Sequence, residues 1–75
     1  MTDPSLSTIN LRLNGEERSC PGGLGLEAVL EYFGYRPQLV VVEFNGEILA
    51  RRHWPLQVVR QADALEVVTI VGGGS

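Results

Sequence analysis

Lysine is absent from this chain. All six of its basic residues are arginine, so no side-chain amine of its own can form a Schiff base or accept an isopeptide bond. The single cysteine, Cys20, cannot close an intrachain disulfide. Nothing therefore points to an oxidising compartment, and the cytoplasm is the expected location. Long apolar runs are missing too, and Met1 to Ser7 has neither a basic flank nor an apolar stretch. The expectation is a soluble, untargeted protein with no membrane partner. Positive charge is scarce: nine acids against six arginines leave a formal charge of −3. That is the wrong sign for neutralising phosphates, so no nucleic-acid partner is expected.

What is present describes one small folded unit. A length of 75 residues supports a single core, and a hydrophobic share of 44% against 20% charged is globular rather than disordered. Residues 1–7 are small and polar and read as a flexible N-terminal arm. The folded domain is expected over 8–71 and a flexible Gly-rich tail over 72–75.

Periodicity supplies the elements. From Thr8 to Leu13 the residues alternate, with Ile9, Leu11 and Leu13 on one face, as in a half-buried strand. Asn14-Gly15 then favours a tight hairpin, returning over Glu16 to Cys20 as a polar edge strand. Leu26, Val29, Leu30 and Phe33 recur at helical spacing, Gly34 stands where a left-handed cap belongs, and Pro37 forbids continuation. The helix start lacks a good N-cap residue. Leu39 to Phe44 is a β-branched run suited to an inner strand, and Asn45-Gly46 predicts a second hairpin into Glu47 to Ala50. A polar stretch with Trp54 and Pro55 follows, and Leu65 to Val71 forms the last strand. These elements predict an α+β fold of order ββαββ, a mixed sheet with one helix packed across it. The first and last strands are expected to be parallel neighbours at its centre.

The same alternation separates inside from outside. With Leu65, Val67, Val42 and Phe44 facing the helix, Val41, Glu43, Glu66, Val68 and Ile70 face the uncovered side. Val41, Val68 and Ile70 form a candidate apolar patch beside the root of the tail, and Val41, Glu43, Val68, Ile70 and Gly72 are the candidate partner-binding residues. Composition alone reads Gly72-Gly73-Gly74-Ser75 as a disordered end. Its position, directly after a central strand, instead suggests a side-chain-free thread whose terminal carboxylate enters a narrow site on another protein.

Asn45-Gly46-Glu47-Ile48, Arg51, Trp54, Asp63 and the Gly-Gly tail resemble the ThiS-type sulfur carriers of thiamine biosynthesis, members of the ubiquitin-like β-grasp superfamily. The resemblance runs from Ile9 to Gly74. Thr69-Ile70-Val71 precedes the glycines where the related MoaD-type subunits show a Pro-rich approach, which favours the ThiS type. The resemblance implies a ubiquitin-like β-grasp fold and a carrier rather than an enzyme. It implies that the carboxylate at Gly73-Gly74 is adenylated by an E1-like, ThiF-type adenylyltransferase using ATP and Mg²⁺. Conversion to a thiocarboxylate and delivery to a ThiG-type thiazole synthase would follow. No bound cofactor, metal or catalytic residue is expected in the chain itself. Two departures stand out: Ser75 follows the glycines, and Gln61-Ala62-Asp63 replaces an expected Asp-Gly-Asp. Ser75 is either removed before activation, tolerated, or a cloning addition.

The remaining residues have plainer readings. Cys20 reads as a small buried apolar group, His53 as an exposed loop residue, and Trp54 as a core plug. Arg51 and Arg52 read as surface arginines that keep a turn soluble, or as a steering pair for an acidic partner. Three rival functions stay open: a MoaD-type molybdopterin synthase small subunit, a ubiquitin-like modifier of target lysines, and a binding module with an idle tail.

Overall fold

The computed structural model of the chain describes residues 8–70. Five strands and one α-helix follow in order: β1 (Ile9–Leu13), β2 (Glu16–Cys20), α1 (Leu26–Tyr32), β3 (Val40–Phe44), β4 (Glu47–Ile48) and β5 (Ala64–Thr69). Short 3-10 helices occupy Pro37–Leu39 and Arg51–Leu56. The strands form one sheet in the order β2-β1-β5-β3-β4. β1 and β5 pair in parallel at its middle and the other pairs are antiparallel, the mixed sheet expected from the sequence. Three strands follow the helix, the expected second hairpin and the last strand, so the order is ββαβββ where ββαββ counts two.

Both hairpins turn on Asn-Gly. Asn14 and Gly15 have φ of 53° and 84°, and Asn45 and Gly46 have 52° and 90°, the positive angles of a turn whose twist matches its strands. The helix ends as Gly34 allows. At φ 91°, its amide donates to Glu31 O while that of Tyr35 reaches back to Leu30 O, so two otherwise orphaned carbonyls are satisfied. At the other end Gly25 offers no capping side chain. Instead the loop ahead of β5 supplies the missing acceptor: Leu26 N donates to Gln57 O at 2.8 Å, and Val59 N donates to Leu24 O at 3.0 Å.

One face of the sheet carries the core. Leu26, Val29 and Leu30 of the helix pack with Leu11, Val42 and Leu65 of the strands, and all six are essentially inaccessible. Burial of such a side chain contributes roughly 1.5–3 kcal/mol. Trp54 joins this core from the second 3-10 helix, and Cys20 joins it from the end of β2. The stretch around Trp54 is thus an ordered element, and β4 stops two residues short of Ala50. The cause is local, since Leu49 O is taken by the Trp54 indole at 2.9 Å. β5 runs from Ala64 to Thr69, and Val71 lies outside the described residues.

Candidate functional site

The sheet face away from the helix carries the candidate partner-binding residues. The β3–β5 register sets Val41 opposite Val68 and Glu43 opposite Glu66. Val41 is 40% exposed and Val68 63%, while Val42 and Val67 beneath them are buried. The outward placement of Val41, Glu43, Val68 and Ile70 follows the alternation seen in the sequence. Gly72, Gly73 and Gly74 lie outside the described residues, as does the expected flexible tail. Directly opposed like charges weaken a sheet, so the glutamate pair makes no case for this face as a stabilising surface.

Two exposed apolar residues extend the face and were not among the candidate partner-binding residues. Ile48 pairs with Glu43 across β3 and β4, and Leu39 stands just ahead of β3. The register of the second Asn-Gly hairpin would have placed Ile48 there, since it puts Glu43 and Ile48 opposite each other. Ile70, the last described residue, donates its amide to Leu39 O at 2.6 Å and so ties the end of β5 to the start of β3.

The residues that carry the family resemblance are occupied in holding β5. Asn45 Oδ1 accepts from Ala64 N at 2.8 Å, and Asn45 Nδ2 donates to Asp63 Oδ1 at 3.1 Å. Asp63 Oδ2 in turn accepts from Arg60 N at 2.8 Å. Asn14, in the first hairpin, does the corresponding work from the opposite side of β5, its Oδ1 accepting from Val67 N at 2.7 Å. Both hairpin asparagines therefore satisfy strand amides as well as shaping turns. Arg51 is not a free surface charge. Its Nη2 donates to Pro37 O at 3.1 Å and Val40 O at 3.4 Å, and the guanidinium lies 5.4 Å from the Trp54 ring centroid. Arg52 and His53 are exposed on the same 3-10 helix.

Ala62, in the turn that departs from Asp-Gly-Asp, has φ of 72°. This is a region a glycine enters freely and alanine does not. The turn is held there: Ala62 N donates to Asn10 O at 2.7 Å, and Gln61 Oε1 accepts from Asn10 N at 2.9 Å.

Cys20 is buried, and that burial pushes its thiol up from the ordinary range, so the reactive thiolate is disfavoured. Among the described residues no group of three or more His, Cys, Asp or Glu is arranged to hold a metal ion.

Comparison with known proteins agrees with this geometry. A model of the ThiS family matches residues 11–74. An uncharacterized protein, ycf40, from Trieres chinensis is 36% identical over 62 residues, covering 83% of this chain and 85% of that protein. A thiazole synthase from Paramagnetospirillum magneticum is 37% identical over 67 residues, which are 89% of this chain and 21% of the synthase. The chain thus spans only about a fifth of that relative's length. The crystal structure of the thiamine biosynthesis protein ThiS from Geobacter metallireducens superposes with a TM-score of 0.74 at 32% identity, covering 88% of this chain and all of that one. With the family signature, the element order and the sheet topology in agreement, the chain belongs to the ThiS family and has its ubiquitin-like β-grasp fold.

Proposed function

We propose that the protein is a sulfur carrier for thiazole synthesis in the thiamine pathway, with its reacting group at the C-terminal glycines. One observation carries the reading: β5, parallel to β1 at the centre of the sheet, presents the exposed Val41–Val68 pair and leads within a few residues into Gly72-Gly73-Gly74. Family membership and the likeness to a thiamine biosynthesis protein support it.

The chemistry follows from what a carboxylate lacks. Its oxygen is a poor leaving group, so a nucleophile cannot displace it unaided. An E1-like, ThiF-type adenylyltransferase would use ATP and Mg²⁺ to join the glycine carboxylate to AMP, releasing pyrophosphate. A sulfide-level sulfur nucleophile would then attack the acyl carbon, expelling AMP and losing its proton to solvent, to leave a thiocarboxylate. A thiazole synthase would accept that sulfur. The outer-face residues Val41, Glu43, Val68 and Ile70, with Gly72, would dock against these partners. The domain supplies recognition and position, while its one thiol stays buried.

Incubation with the adenylyltransferase, ATP and a sulfur source tests the reading by mass spectrometry. A gain of about 16 Da, from one oxygen replaced by sulfur, is expected on the terminal glycine. A chain ending at Gly74 should react at least as fast as one ending at Ser75, because a channel shaped for glycine backbone has no room for a serine side chain. A ThiS-type carrier is captured by thiazole synthase. Capture by a molybdopterin-synthase large subunit alone would overturn the assignment in favour of the MoaD type.

A further inference from the structure

We propose that Arg51 is a positioning residue for the C-terminal tail, acting through Leu39 on Ile70; the proposal rests on the sulfur-carrier reading above. The linkage can be followed bond by bond. Arg51 Nη2 donates to Pro37 O and Val40 O, which bracket the 3-10 turn Pro37–Leu39. Between these two carbonyls lies Leu39, whose own carbonyl accepts the Ile70 amide at 2.6 Å. The last residue pair of the β3–β5 ladder is Val40 with Thr69. The Ile70 bond therefore lies one residue beyond it, at the limit of the described chain.

The turn needs outside support. A three-residue 3-10 helix has poor internal hydrogen-bond geometry, and this one has two backbone bonds of its own, Leu39 N on Arg36 O at 2.9 Å and Val40 N on Pro37 O at its C-cap. Arg51 brings that support from a rigid base. Its guanidinium lies against Trp54, which is 2% exposed and fixed through its indole N–H to Leu49 O. The planar cation rests on the ring while its outermost nitrogen, Nη2, donates to both carbonyls, and lysine, one heavy atom shorter, does not reach both the ring and the two carbonyls.

The consequence concerns the direction in which the chain leaves the sheet. Loss of the Ile70–Leu39 bond frays the strand end by a residue and lengthens the segment that the activating enzyme must order, so fewer bound complexes hold the reacting carboxylate in position. A reacting group misplaced by about an ångström can lose two orders of magnitude in rate. Arg51 should thus govern turnover on the activating enzyme, while the outer face governs binding.

The test compares Arg51→Ala, Arg51→Lys, Ile70→Pro and Ile70→Ala, each checked for a native circular dichroism spectrum. Ile70→Pro removes the donor to Leu39, whereas Ile70→Ala keeps it and controls for the lost side chain. In Arg51→Ala, hydrogen exchange at the Ile70 amide should quicken about tenfold while that at Val67 is unchanged. ATP–pyrophosphate exchange on the adenylyltransferase should show kcat down about tenfold at constant KM. Arg51→Lys should behave like Arg51→Ala. Ile70→Pro should lose as much kcat, and adding Arg51→Ala to it should cost little more, since both break one linkage. Unchanged Ile70 exchange, a rise in KM alone, or full activity in Arg51→Lys would each overturn the proposal. An otherwise unchanged chain ending at Gly74 that supports no pyrophosphate exchange would sink the carrier reading instead, and Ile70 exchange would still decide the linkage.

Discussion

Replacing Ala62 by glycine should stabilise the protein, against the usual effect of adding a glycine. Ala62 holds φ at 72°, where its β-carbon crowds the following carbonyl. Such a residue costs about 1–2 kcal/mol relative to the right-handed region. Glycine removes that cost but gives the unfolded chain more freedom, worth roughly 0.4–1 kcal/mol in the opposite sense. The net gain should be about 0.5–1 kcal/mol, or about 3–6 °C in Tm for a domain of this size. Relaxation of the turn is blocked, because Ala62 N is bonded to Asn10 O and the Asn10 amide is bonded in turn to the Gln61 side chain. Thermal and urea unfolding by circular dichroism measure the effect. Ala62→Val should move stability the other way, since a β-branched residue suffers more at this angle. A Tm for Ala62→Gly at or below that of the parent would refute the claim that strain is stored in this turn.

Three further outcomes follow from the same contacts. Asn14→Gly keeps the turn's positive φ but deprives Val67 N of its acceptor, so urea unfolding should show a loss of about 1–2 kcal/mol. Val68→Asp should weaken binding to the adenylyltransferase about tenfold or more by titration, with a native spectrum, because a carboxylate would be desolvated on a docked apolar face. Unchanged affinity would remove Val68 from the interface. Cys20→Ala should accept sulfur as the parent does, while the native Cys20 thiol should react with iodoacetamide far more slowly than the unfolded one. Its raised pKa also fixes a sign: the neutral thiol favours the fold at all pH below the unfolded value of 9.0, and that contribution is lost as pH rises through the higher folded value.

Much of the fold was legible because it rests on local chemistry. Asn14-Gly15 and Asn45-Gly46 specify turns through backbone angles that few other dipeptides adopt, and the helix stop at Gly34 is of the same kind. Period-two alternation placed Val41 and Val68 outward, and the register confirms them as direct partners. What escaped depends on contacts that a residue's own neighbours do not announce. The strand expected to Ala50 stops at Ile48 because an indole five residues ahead takes Leu49 O. Arg51 looked like a solubilising charge, since nothing in its neighbours announces carbonyls at Pro37 and Val40. The missing helix cap likewise found its substitute at Gln57, far along the chain.

The most diagnostic residues and the proposed docking residues are therefore different sets. Asn45 and Asp63 bind each other and secure the approach to β5, while Arg51 and Trp54 brace the connector into which Ile70 is bonded. Their polar groups bond within the protein, Asn45 to Asp63 and Ala64 N, Asp63 to Arg60 N, and Arg51 to Pro37 O and Val40 O. Val41 and Val68, by contrast, are ordinary in type and become distinctive only through exposure beside the end of β5. A change in the first set should act by loosening the strand that bears the tail, and a change in the second by weakening association. Measuring turnover at saturating partner separates the two, because a loosened strand lowers kcat whatever the concentration, whereas a weakened face is overcome by mass action.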